Sequence, residues 1–230
     1  MSLENNMGKE WYQILSPFIQ SDIFKQLSAK IATEYKTKTI YPDKEDVFKA
    51  FRLTPFSQTK VVWLGMDPYI NGEAVGLSFG VNIGRCRVPR SLDTIITELE
   101  SSYDSRLLLN FDYSLESWAK QGVLMLNTAL TVEKKKTGSH LQLWKPFTEE
   151  VFKVLNTYHT GLIFVLLGKE AQKYEVLINS NQHIIKAPHP ASESYRKGSG
   201  FLGSKLFNKI DELLKQMNGE NNLIKWNETI

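Results

Sequence analysis

Three side chains suited to a reactive site stand just beyond three short apolar runs. Asp67 follows KVVWLG at 60–65, Asn127 follows VLML at 123–126, and His189 follows HIIKA at 183–187. Together they supply a carboxylate acceptor, a planar amide that both donates and accepts, and an imidazole that titrates near neutrality. Each also has an ordinary explanation. Asp67 precedes Pro68 and could form a turn, Asn127 could satisfy loop backbone, and His189 between two prolines could brace a rigid loop. Their common position after three different runs favours a shared site. Tyr69 and Phe79 lie close by in sequence, although aromatic residues near a sheet usually belong to the core.

The rest of the composition narrows the chemistry. Cys86 is the only cysteine, which leaves no internal disulfide and no thiolate metal cluster. The histidines at 140, 159, 183 and 189 include no i, i+4 pair of the kind that binds metal on a helix, so no metal and no cofactor is expected. A net charge of +3 permits a nucleic-acid partner without arguing for one. The run Lys134-Lys135-Lys136 reads first as a solvated loop and second as a phosphate contact. No stretch approaches the roughly 20 apolar residues of a membrane span, and MSLENNMGKE lacks the apolar core of a secretion signal. The expectation is an intracellular, cytoplasmic protein with no membrane partner.

The elements that must position these residues follow from hydrophobic periodicity. The runs at 60–65, 123–126, 162–167 and 183–187 predict short buried parallel strands. Helical spacing between them, at 91–99 and 148–155, predicts an α/β fold: one domain over 1–230, with a central four-stranded parallel sheet flanked by helices on both faces. A helical cap spans about 9–52 with a break near Pro17, the sheet and its loops about 60–202, and a last helix about 204–217. Ligands of open parallel sheets bind beyond the carboxyl ends of the strands. That edge would gather Met66-Asp67-Pro68-Tyr69, Asn127-Thr128, Gly168-Lys169 and Pro188-His189-Pro190.

The order of these segments resembles the first family of uracil-DNA glycosylases. The matching segments are KVVWLGMDPY at 60–69, GLSFGV at 76–81, QGVLMLNTALTV at 121–132, GSH at 138–140 and PHPAS at 188–192. YPDKEDVFKAFRLTPF, SWAKQG, GFLGSKLF and the late LIKW are similar as well, so the resemblance runs from about Trp11 to Trp226.

The resemblance implies a monofunctional glycosylase that hydrolyses the N-glycosidic bond of uracil in DNA, single- or double-stranded. Asp67 would stabilise the sugar cation and position water, and His189 would donate a hydrogen bond to the departing base. Phe79 would stack on the base, Asn127 would read its N3–H and O4 edge, Tyr69 would exclude a methyl at C5, and Met66 would contribute its backbone. DNA-backbone contacts would come from Pro89 and Ser91 in VPRSL, from Gly168 and Lys169, and from Ser192 and Ser194. A monomer and a protein inhibitor that mimics DNA would also be in keeping with the family. No lysine occupies a matched catalytic position, which favours water over a Schiff base.

Met66 stands where the family usually has glutamine, a change its backbone role tolerates, and two further positions depart from the family pattern. Ile70 replaces a histidine and implies slower turnover with specificity intact. Glu193 falls where a wedge leucine is usual, leaving Tyr195 as a wedge or a preference for single strands. The rival reading is a glycosylase-shaped DNA-binding subunit with weak or lost catalysis. A glycosylase for another damaged pyrimidine and a phosphate hydrolase rank lower, the latter for want of a metal cluster or glycine-rich loop.

Overall fold

Apolar runs buried on both faces make poor edges and good sheet interiors, and three of the four central strands are of that kind. A computed structural model describes residues 2–84, 86–103, 111–219 and 222–227. In it β2 (Val61–Gly65), β3 (Val123–Asn127) and β5 (Ile163–Leu167) are buried throughout, whereas β6 (His183–Ala187) is only partly covered. The four form one parallel sheet in the order β3-β2-β5-β6, which makes β3 and β6 its edges; β3 is apolar there because helices pack against it. The chain runs from β2 out to β3 and then returns to the other side of β2, so the strand order reverses at β2. A crevice at the carboxyl ends is the consequence.

Helices cover both faces. Phe152 of α8 (Leu141–Tyr158) packs on Phe164 of β5 with ring centroids 5.3 Å apart. Residues 62 and 164 are register partners, and Trp63 points to the opposite face. There it meets Trp118 of α7 (Glu116–Lys120) at 5.6 Å and Phe207 of α10 (Leu206–Asn218) at 5.6 Å. Helix α6 (Arg90–Tyr103) contacts α10. A further layer backs α8. Its Phe147 meets Phe18 of α3 (Ser16–Ile19), Phe24 of α4 (Asp22–Thr37) and Phe51 of α5 (Lys49–Leu53). Trp11 of α2 (Lys9–Ile14) donates its indole N–H to Thr54 O at 2.7 Å, and α1 (Leu3–Met7) packs on α5. The short α9 (Gly168–Gln172) follows β5 directly.

The expected sheet and helices are present, with three differences. The helix expected at 148–155 starts seven residues earlier, at Leu141, and carries Pro146 inside it. A proline near a helix start loses few bonds, yet in sequence it reads as a boundary. The helical cap breaks three times: before α3, which has Pro17 in its first turn; before α4, where Ser21 accepts from Phe24 N–H; and between α4 and α5. A two-residue antiparallel ribbon, β1 (Ile40–Tyr41) with β4 (Val132–Glu133), has no sequence signal because its strands are too short for alternation to register.

The segment after α10 is part of the core. Trp226 is 3% exposed, lies 5.1 Å from both Trp118 and Phe207, and donates its indole N–H to Asp211. Truncating it empties a large, closed space. We expect Trp226→Ala to lower stability by roughly 3–5 kcal/mol, read from the midpoint of urea unfolding; an unchanged midpoint would place this segment outside the core.

Candidate active site

The parallel register puts Gly65 opposite Asn127, at the last rung between β2 and β3. Just beyond that rung the chain turns sharply, and its carbonyls are taken by the neighbouring strand. Gly65 O accepts from Thr128 N, and Met66 O accepts from Ala129 N and the Thr128 hydroxyl. Thr128 O is held in turn by Thr148 of α8. The Met66 N–H makes no hydrogen bond among the described residues, and Met66 borders the crevice. A cavity of about 400 Å³ opens there, lined by Met66, Asp67, Tyr69, Phe79, Asn127 and His189, with Ile70, Ser91 and Thr137 among its other walls. All six residues expected to bind or transform the base are thus brought to one space.

Their settings differ. Asp67 is half-buried, and its Oδ2 accepts the Gly138 N–H at 2.5 Å. Burial pushes its carboxyl above the usual carboxylate range, and the Gly138 bond works in the opposite direction. The second oxygen, Oδ1, has no partner among the described residues. His189 lines the same cavity, with its ring centroid 5.7 Å from that of Phe79. Its Nδ1 accepts the Ala191 N–H at 3.2 Å, so the ring proton belongs on Nε2. Burial lowers the pKa of this imidazole, which keeps it neutral at pH 7. The site therefore pairs an anion with a neutral N–H donor.

Asn127 is 7% exposed, and its amide has no hydrogen-bond partner among the described residues. The residue lines the cavity, so the amide's donors and acceptor are free for a ligand. Phe79 is buried with φ 62°, a conformation that strains any residue other than glycine by roughly 1–3 kcal/mol. It is held by its neighbour Ser78, whose N–H donates to Met125 O and whose hydroxyl donates to Trp63 O. Tyr69 and Ser91 share a hydrogen bond of 2.7 Å between their hydroxyls, and burial raises the Tyr69 pKa, so the ring stays a neutral phenol.

The residues expected at the DNA backbone fall into different places. Lys169 is exposed at the start of α9 and, with Gly168, Ser192, Tyr195 and Arg196, lines a second cavity of about 670 Å³ that shares His189 with the first. Gly168 is buried, with φ +82°, and a Cβ there would stand 2.8 Å from the His189 Cβ; its smallness makes room for the histidine. Ser91 is 6% exposed and engaged with Tyr69. Pro89 caps the start of α6 by accepting the Asp93 N–H, and the exposed Ser194 donates to Ala191 O. Neither lines a cavity described above. In the lysine run, Lys136 pairs with Glu133 at 2.6 Å, while the Lys134 and Lys135 side chains are exposed.

One contributor, Gly138, had no role assigned in the sequence, and another, Ser91, was expected at the DNA backbone and not beside Tyr69. Gly138 was visible only as part of GSH, and its N–H reaches Asp67 across 71 residues. Ser91 braces Tyr69 across 22. Gly65 is a third point of control, since a Cβ there would overlap Asn127 Oδ1 and also crowd Ser78 and Phe79. We expect Gly65→Ala to swing the Asn127 amide away and to destabilise the fold by about 1–3 kcal/mol. Side-chain amide NMR shifts of Asn127 together with denaturant unfolding would detect this; unchanged shifts would mean that the amide is held by something other than the glycine.

Comparisons with known proteins agree with this geometry. Residues 51–215 match the family model described as Uracil DNA glycosylase superfamily. A protein named Uracil-DNA glycosylase from Alkaliphilus metalliredigens is 41% identical over 228 residues, covering 96% of each chain. The crystal structure of mimivirus uracil-DNA glycosylase superposes with a TM-score of 0.88 at 28% identity, covering 98% of this chain and 89% of that one. A variant of mimivirus UNG, solved in complex with UGI, gives a TM-score of 0.87 at 29% identity, covering 98% of this chain and 91% of the other. With the fold, the cavity and these likenesses in agreement, the chain belongs to the uracil DNA glycosylase superfamily.

Proposed function

We propose that this protein excises uracil from DNA by hydrolysing the bond between the base and its deoxyribose, leaving free uracil and an abasic site for base excision repair. The observation that carries the reading is the convergence of Asp67, Asn127 and His189, with Tyr69 and Phe79, on one small cavity beyond the sheet. Breaking an N-glycosidic bond develops positive charge on the sugar and negative charge on the base, and the cavity offers a partner for each. Asp67 faces the cation, with Oδ2 held by Gly138 and Oδ1 left for the attacking water. His189, neutral and protonated at Nε2, donates to the base oxygen on which charge collects.

Recognition precedes that step. A base extruded from the helix costs a few kcal/mol in lost stacking and pairing, which contacts in the pocket must offset. Phe79 stacks on the base, and the Asn127 amide meets its N3–H and O4 edge. Cytosine carries an amino group at that edge and would leave a polar mismatch. Tyr69, braced by Ser91, fills the space at C5 and excludes the methyl of thymine. The exposed Lys169 and Arg196 on the adjoining cavity supply phosphate contacts, and Tyr195, 79% exposed, is the side chain of the His189 loop that projects toward the strand. The likeness to mimivirus UNG bound to UGI supports a DNA-mimicking protein inhibitor at the same cleft. The chain acts as a monomer inside the cell; among the described residues no helix is long and apolar enough to cross a membrane.

Release of free uracil from a labelled uracil-containing oligonucleotide tests the activity. His189→Leu removes one preorganised donor and should slow single-turnover release by about 10²–10³-fold; Asp67→Asn should be impaired at least as much. No release by the wild-type chain would favour a DNA-binding subunit instead. The pH dependence has a definite sign. Asp67 must be ionised, and burial raises its pKa, so the rate should fall on acidification with a midpoint above the ordinary carboxylate value. Burial lowers the His189 pKa, so the imidazole gains its proton only below its ordinary titration range. An acid limb retained in Asp67→Asn would assign the titration to another group.

A further inference from the structure

The loop that carries His189 is closed by an unusual knot. It leaves β6, forms a short 3-10 turn over Pro190–Ser194, and returns past residues 198–202 toward α10. The Glu193 carboxylate lies inside that return. It accepts the backbone N–H groups of Gly198, Ser199, Gly200, Phe201 and Leu202 at 2.9–3.3 Å, and the Ser199 hydroxyl at 2.8 Å. Six donors exceed the roughly four lone-pair sites of a carboxylate, so several of these bonds are shared. The Ser199 hydroxyl, followed by the surrounding N–H groups, draws the Glu193 pKa down to about 2, so the group is an anion throughout the working range.

The knot connects to the catalytic histidine through the Ser199 and Ser192 hydroxyls. Ser192 N–H donates to His189 O at 2.8 Å, Ser192 Oγ lies 2.7 Å from Ser199 Oγ, and Ser199 donates to Glu193. The Ser192 hydroxyl also lies 2.6 Å from His189 O, so with Ser199 donating to Glu193 the single Ser192 proton is shared between Ser199 Oγ and His189 O. Just beyond, Glu98 of α6, 1% exposed, accepts Gly203 N, Ser204 Oγ and Lys205 N. The same helix presents Ser91 to Tyr69.

We propose that Glu193 is the positioning residue of the His189 loop, gathering residues 198–202 around its carboxylate and, through the Ser199 and Ser192 hydroxyls, fixing where the imidazole stands. The inference rests on the uracil-excision reading for its functional consequence. Glu193 is therefore neither a wedge presented to DNA nor a stray negative charge in the cleft; it is consumed inside the loop. Because His189 acts after the base has left the stack, the effect belongs to the bond-breaking step and is the same for single strands and duplexes.

The test uses Glu193→Gln, which keeps the shape but replaces one acceptor oxygen by an amino group that opposes the backbone N–H donors, and Ser199→Ala, which breaks only the hydroxyl link. Uracil release from single-stranded and duplex oligonucleotides is measured beside amide hydrogen exchange of residues 198–202 and the ring 15N shifts of His189. For Glu193→Gln we expect kcat about ten-fold lower on both substrates and KM within about two-fold of wild type. Exchange at 198–202 should quicken and the Nε2–H tautomer of His189 become mixed, with Ser199→Ala moving the same readouts less. Wild-type kcat with an unaltered His189 signature, or a loss confined to KM on duplex DNA, would overturn the inference. Should the wild-type chain release no uracil, the excision reading fails by itself, and exchange together with the His189 ring shifts then decides the positioning role.

Discussion

The register of β2 against β3 is the constraint on which the site depends. It sets Gly65 opposite Asn127, and side chains in a strand alternate between faces with a period of two residues. A slip by one residue would turn the amide away from the cavity and carry Asp67 out of reach of Gly138. What holds the register is the burial of β2, β3 and β5 on both faces, with Trp63 and Phe164 committed to opposite layers of helices. The aromatic mass beneath the sheet thus determines the alignment of polar groups at its edge.

Burial then tunes the chemistry. Asp67 and His189 are both pushed toward their neutral forms, as desolvation requires, but only the carboxylate receives a compensating N–H. The imbalance leaves one anion and one neutral donor lining the same small space, where low dielectric strengthens the field each exerts. Two charged partners would have attracted each other and closed the gap; two neutral ones would have offered the cation nothing.

Helix α6 gives the site its rigidity from the far side. Ser91 in its first turn braces Tyr69, Glu98 in its third holds residues 203–205, and Tyr103 at its end donates to Asp211, which also accepts from Trp226. One helix therefore links the wall of the cavity, the return of the histidine loop and the closing segment of the chain. Ile70 sits in the same wall as an apolar residue, with only its carbonyl engaged, by Lys135 N–H.

Much of this was legible in the order of residues. Short β-branched runs announced the strands, and parallel strands must place their trailing residues on one edge, so Asp67, Asn127 and His189 could be brought together before any coordinates. Glu193 could not be understood that way: as a letter in a loop it is a charge where an apolar side chain was expected. Its six donors lie five to nine residues on, and nothing in their spacing records a backbone curled around a carboxylate. The same holds for the Gly138 bond to Asp67, the Ser91 bond to Tyr69 and the room Gly168 leaves for His189. Local sequence determined the elements and the residue types at their ends, because hydrophobic periodicity is written in neighbours. Tertiary structure decided protonation, orientation and the closing of the loop, because those depend on donors and burial contributed by segments distant in the chain.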